Sequence, residues 1–136
     1  MSRRRKAREI ALQTLYAEEV SSADWEEIFR ETVERRKSSG EAVDYARRLI
    51  SQVIKEREDL DKRLSERLEN WRLDRVSIVD KNILRIALVE LLYCPDTPTN
   101  VIINEAIEVA HRFSSADVGR FINGVLDRLA REVRPS

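Results

Sequence analysis

The stretch from Ser77 to Tyr93 constrains the fold more than any other, because eleven of the sixteen residues from Ile78 to Tyr93 are apolar and none is Gly or Pro. Apolar side chains run round the axis instead of marking one stripe, so this helix must be covered from several directions and belongs at the centre of the molecule. Ser77 followed by Asp80 is the Ser-x-x-Asp form of a capping box, in which a hydroxyl and a carboxylate satisfy donors left open by the first turn. Pro95 ends the helix, since it cannot continue the hydrogen-bond ladder and pushes Cys94 out of helical geometry. Asp80 and Arg85 stand out as charges on the rod. On local sequence alone Asp80 reads as a cap, and Arg85 as an edge residue or the partner of a carboxylate.

The rest of the chain reads as cover for that rod. With 136 residues, three Gly, three Pro and no sustained alternation of apolar and polar positions, the chain is one all-α domain. A first helix runs from Arg3 through Val20 and is expected to bury two rows, Ala7/Ala11/Leu15 and Leu12/Tyr16/Val20. A second carries Trp25, Ile28, Phe29, Thr32 and Val33 at helical spacing. After the Ser38-Ser39-Gly40 loop a third, from about Glu41, buries Val43, Ala46, Ile50 and Val53. Leu60, Leu64, Leu68 and Trp71 form a further stripe, and a break is predicted within Lys55 to Asp59. Trp71 and Leu73 are expected to tuck under the central helix. Beyond it, Ile103, Ala106, Ile107, Ala110 and Phe113 mark a helix over Val101 to Phe113. Ser114 with Asp117 is a second capping-box signature and predicts the start of a last helix carrying Val118, Phe121, Ile122, Val125, Leu129 and Val133. Gly119 and Gly124 fall inside it, each at a cost of roughly 1 kcal/mol relative to Ala. Glycine there lets a backbone or a nucleotide approach closely.

Several function classes are excluded early. Cys94 is the only cysteine and His111 the only histidine, so neither a disulfide framework nor a Cys/His metal cluster is available, and His111 reads as a solvated side chain. Phosphate-loop, dinucleotide, zinc-protease and nucleophile-elbow motifs are missing, so a non-enzymatic binding module without a cofactor is expected. No apolar run approaches the roughly 20 residues needed to span a bilayer, and the basic N-terminus lacks a signal-peptide core, which predicts a cytoplasmic protein and no membrane partner. Net charge is zero, yet residues 3 to 8 hold five positive charges and Glu18 to Glu34 holds seven acidic residues against one Arg. Arg4 and Arg8 lie on the helical row that leads to Leu12 and Tyr16. Positive charge is the wrong sign for a helix N-terminus, so anion binding explains the run better than helix stability does.

Four stretches in order resemble the NusB family of transcription antitermination factors: Arg3-Arg-Arg-Lys-Ala-Arg-Glu9 with Ala11, Gln13, Leu15 and Tyr16; Ile83-Leu-Arg-Ile-Ala-Leu88 with Glu90 and Leu91; Ile103-Asn-Glu-Ala-Ile-Glu108; and Arg120-Phe-Ile-Asn-Gly-Val-Leu-Asp127. The resemblance implies about seven helices, with an N-terminal three-helix bundle packed on a C-terminal one and the division near residues 1–56 and 57–136. It implies binding to single-stranded boxA RNA of ribosomal RNA transcripts, in partnership with the ribosomal protein NusE within the RNA polymerase antitermination complex. A homodimer is compatible with it. Carried over by position, it assigns RNA contacts to Arg4, Arg5, Arg8, Arg85, Asp117 and Phe121, and protein-partner contacts to Tyr16 and Asp80. The sequence departs from the family at Ser114-Ser115-Ala116 and at Gly119. Two other readings stand beside it. One is a NusB-like domain of an RNA cytosine methyltransferase, which needs a cofactor-binding half beyond Ser136. The other is a helix-turn-helix DNA binder using the Ser38-Ser39-Gly40 turn, whose recognition helix would open on the acidic Glu41-Ala-Val-Asp44.

Overall fold

A computed structural model describes residues 2–69 and 72–135; the expectation for Trp71 lies outside the described residues. Six α-helices follow in order: α1 (Arg3–Ser21), α2 (Trp25–Arg36), α3 (Glu41–Glu66), α4 (Ile78–Tyr93), α5 (Thr99–Phe113) and α6 (Gly119–Val133), with one 3-10 turn at Leu73–Arg75. Helices α1 to α3 form one bundle and α4 to α6 a second, and a single apolar core runs through both. The count is six instead of seven because the third and fourth apolar stripes share one helix. At Glu56, inside the predicted break, α3 bends at φ −113° and ψ 19° and then continues to Leu60 and Leu64.

Helix boundaries follow from local chemistry. Ser2 caps α1 by accepting from the Arg5 amide at 3.0 Å, and α1 ends at Ser22 in the left-handed region. Asp24 caps α2, with Glu26 and Glu27 in its first turn and Arg35 and Arg36 in its last, the signs the helix dipole favours. Ser77 caps α4 by accepting from the Asp80 amide at 3.1 Å, but the Asp80 carboxylate does not return the bond, and its Oδ1 is buried without a partner. The Ser114/Asp117 capping box does not form. Ser114 closes α5 instead, its amide donating to Ala110 at 2.8 Å, and α6 starts later at Gly119 with no side-chain cap. Gly119 thus lies in the first turn of α6.

Every residue of α4 from Asn82 to Leu91 is buried, the central position its composition demands. It contacts α1, α3, α5 and α6. On α1 the row Ala7/Ala11/Leu15 and Leu12 are buried as expected, but Tyr16 is 43% and Val20 57% exposed. The buried side of α1 rotates instead onto Arg8 and Glu9, because carboxylates and guanidinium groups from other helices meet them there. Beyond the end of α6, Arg134 donates to the carbonyls of Glu90, Leu91, Cys94 and Thr97 at 2.7 to 3.1 Å, supplementing the amide bonds that Glu90 and Cys94 already accept and tying down the exit of α4. Among the described residues no helix is long and apolar enough to cross a membrane.

Candidate nucleic-acid interface

The arginines of α1 do not form a loose basic tail. Helix α1 runs antiparallel to α4, so its first turns meet the end of α4, where Glu90 waits inside the core. Arg8 donates from Nε and Nη2 to the two Glu90 oxygens, each at 2.8 Å, and the Tyr45 hydroxyl donates to Glu90 Oε2 at 2.6 Å. Arg8 also reaches Glu105 on α5 at 3.3 Å, and Arg5 grips that same carboxylate with two bonds of 3.0 and 2.6 Å. The Arg4 guanidinium lies over the Tyr45 ring, 4.0 Å from its centroid. Three arginines are therefore organised by two carboxylates and one tyrosine.

The electrostatic consequences differ by depth. Burial works against the Arg8 charge, yet the hydrogen bonds and charge of Glu90 overcome it and raise its pKa. Burial pushes the Tyr45 phenol far up, helped by the Glu90 charge, so it stays protonated and donates. The hydrogen bonds from Arg5 hold Glu105 below the ordinary carboxylate value. Arg8 is only 4% exposed and both faces of its fork are occupied. It sits beneath the surface that Arg4 and Arg5 present.

Arg85 occupies a similar node midway along α4. It pairs with both oxygens of Asp61 at 2.7 and 2.8 Å, with Glu19 at 2.6 Å and with Asn82 at 3.0 Å, and is 3% exposed. Of the two local readings, partner of a carboxylate is the one observed. Burial raises the Glu19 pKa, but bonds and charge from Arg85, with help from Asn82 and Lys81, leave it lowered overall.

Asp117 and Phe121 sit elsewhere. Phe121 is half-buried at the start of α6 and lines a cavity of about 220 Å³ together with Arg75, Ser77, Asp80, Ser115 and Asp117. Asp117 is exposed. Arg85 and Phe121 do not converge beside the basic end of α1. Asp80 and Glu90 lie ten residues apart on α4, roughly 15 Å at about 1.5 Å per residue. The arginines sit at one end of that length and the Phe121 cavity at the other, with Arg85 beneath the surface between them. Helix α5 connects the two ends: Glu105 meets Arg5, while His111 and Ile107 lie against Gly119, where an added Cβ would come within 3.0 Å of His111 Nε2. Glycine here admits a neighbouring side chain. Asp80 thus borders the Phe121 cavity, while Tyr16 stands exposed on α1, one turn before Glu19, which binds Asn82 of α4.

Glu90, Glu105 and Tyr45 were missed by sequence reasoning. Glu90 carried a signal, being a carboxylate inside the most apolar helix, whereas nothing local marks Glu105 or Tyr45. Among the described residues no cluster of His, Cys, Asp or Glu is arranged to hold a metal ion.

Comparison with known proteins agrees with this architecture. Residues 5–131 match the model of the NusB family. The transcription antitermination protein NusB of Geotalea uraniireducens (strain Rf4) is 44% identical over an alignment that covers 96% of this chain and 95% of that protein. T. maritima NusB has a TM-score of 0.87 at 38% identity, covering 95% of this chain and 91% of its own. A chain in the crystal structure of antitermination factors NusB and NusE in complex with dsRNA also reaches a TM-score of 0.87, at 25% identity over 97% of this chain and 98% of that one. With a family match over nearly its whole length and the same fold in its relatives, the chain belongs to the NusB family.

Proposed function

We propose that this protein is a non-catalytic, cytoplasmic RNA-binding subunit of a transcription antitermination complex, which binds boxA RNA of ribosomal RNA transcripts together with NusE. The observation that carries the reading is the clamped start of α1, where Arg4 rests on Tyr45 and Arg5 is held by Glu105. Preformed cations lose little freedom when they meet phosphates, and a planar guanidinium suits two phosphate oxygens at once. Arg4 and Arg5 take the phosphates in this reading. Arg8 and Arg85 serve the RNA site from within, as the buried posts on which the surface is built. Asp117 and Phe121 meet bases, since a half-exposed ring beside an acceptor offers stacking and an edge contact to an unpaired base. Tyr16 and Asp80 contact NusE; Tyr16 offers an exposed aromatic ring and Asp80 a partly exposed carboxylate at the start of α4.

The test is a titration of boxA RNA, a scrambled strand and duplex DNA across a salt series, with and without NusE. Preference for boxA over the scramble, strengthened by NusE, is the expected result. Equal affinity for all three nucleic acids would overturn it.

A further inference from the structure

The turn between α2 and α3 forms one wall of a cleft of about 480 Å³ whose other wall is the start of α1. Arg3, Lys6, Arg36 and Lys37 line it with the hydroxyl-bearing Ser38 and Ser39, and Glu41 is its one carboxylate. The four cations are not equivalent. Arg36 is fixed from beneath by Glu9 at 2.6 Å and Gln13 at 3.1 Å. Arg3 pairs with Glu41 across an exposed contact in which both side chains are more than three-quarters open, the kind of pair that contributes little and exchanges readily. Lys6 and Lys37 are exposed and take part in no ion pair among the described residues. Lys37 is held there by the left-handed backbone that ends α2, at φ 52°.

Such a lining suits an anion with several charges and offers almost nothing to an apolar ligand, Ala42 being the only apolar residue in it. The cleft is also continuous with the clamped arginines. On the far side of the Arg3–Glu41 pair lies a second cleft of about 370 Å³ that contains Arg4, Tyr45 and Arg48, with Glu41 and Asp44 as its carboxylates. A track in which cations outnumber carboxylates thus runs from Arg48 and Arg4 across Arg3 to Lys6 and Lys37, with Asp44 and Glu41 along its α3 side.

We propose that this cleft binds backbone phosphates of the RNA strand beyond the segment held by Arg4 and Arg5, extending the footprint to the α2–α3 turn. The inference rests on the RNA-binding reading above, and its test separates the two. Affinity for a boxA strand extended at both ends is measured across salt for the unaltered chain, for Lys6→Gln/Lys37→Gln, and for Lys55→Gln/Lys62→Gln, which removes the same charge from exposed positions on α3. At about 0.7 in log-log slope per phosphate, losing two contacts lowers the slope of the cleft variant by about 1.4 and weakens binding several-fold. The α3 control keeps the unaltered slope, and all three melt alike. A slope unchanged in the cleft variant, or lowered equally in the control, removes the cleft from the RNA path. In either case continued loss of binding in Arg4→Ala/Arg5→Ala keeps the RNA reading intact. Failure of the unaltered chain to bind the strand at any salt overturns both.

Discussion

Arg8 and Glu90 face each other across 82 residues of sequence through two 2.8 Å hydrogen bonds, with 4% and 1% of their respective surfaces exposed. A buried pair of this kind is dangerous to break from one side, because the surviving charge has no water to turn to. Arg8→Ala should therefore cost about 3 to 5 kcal/mol of stability. Replacing both, as Arg8→Met/Glu90→Leu, should recover much of that loss. Urea melts of the two single variants and the double variant measure the difference, and equal melting of Arg8→Ala and the parent would show the pair to be inert.

The surface arginines should behave otherwise. Arg4→Ala/Arg5→Ala removes two exposed or half-exposed cations, so melting should fall only by the share the Arg5–Glu105 pair contributes, well short of the Arg8→Ala loss, while the log-log salt slope for single-stranded RNA falls by about 1.4, from about 0.7 per phosphate. Including Arg8 in such a variant would confuse unfolding with lost contact. A slope unchanged in the double variant would place the phosphates on other residues.

Phe121 is half-buried, so neither a pure platform nor a pure core residue is expected. Phe121→Ala should cost less than the 3 to 5 kcal/mol typical of a packed phenylalanine. Binding to boxA should lose about 1 to 3 kcal/mol if one base stacks there. Calorimetric melting and RNA titration of the same sample decide it; full core cost with no change in RNA affinity would remove Phe121 from the interface.

Asp80→Asn tests whether the carboxylate serves the fold or a partner. Its Oδ1 has no hydrogen bond and the capping work is done by Ser77, so folding stability should change by less than about 1 kcal/mol, the size of a helix-dipole contribution. NusE affinity should drop. Preserved NusE affinity alongside preserved melting would take Asp80 out of that contact.

Acid should weaken the molecule at both nodes together. Glu19 and Glu105 have folded pKa values below their ordinary 4.5, so the unfolded chain binds more protons than the folded one as pH falls below the neutral range. The stability they contribute is present above about pH 4.5 and is lost as pH drops through their lowered folded values. Melting temperature followed from pH 7 downwards should hold near neutrality and decline through the acid range. Glu19→Gln and Glu105→Gln should each start lower and show a shallower decline.

Periodicity and caps were enough to read the central helix, the cover around it and the region of the α3 bend, because those depend on neighbours in sequence. The orientation of α1 was not readable in that way. Tyr16 and Val20 share a helical row with Leu12, and only the carboxylates arriving from α4 and α5 decide that the buried side turns toward Arg8. The Ser114/Asp117 signature misled for a related reason: the hydroxyl that could open one helix stands where the previous one had to close. Arg4 and Arg5 were visible as charges. Their settings, the Tyr45 ring and the Glu105 carboxylate, come from residues 41 and 100 positions further along.

Arg134 fastens the centre of the molecule from just beyond α6, bonding four carbonyls where α4 gives way to α5. Synthesis delivers α4 some forty residues before the side chain that satisfies its exit. Until Arg134 is made, the Leu91 and Thr97 carbonyls depend on water for the bonds its guanidinium later supplies. Arg8 of the first helix and Arg134 beyond the sixth thus meet on one residue, Glu90, the former at its side chain and the latter at its backbone carbonyl.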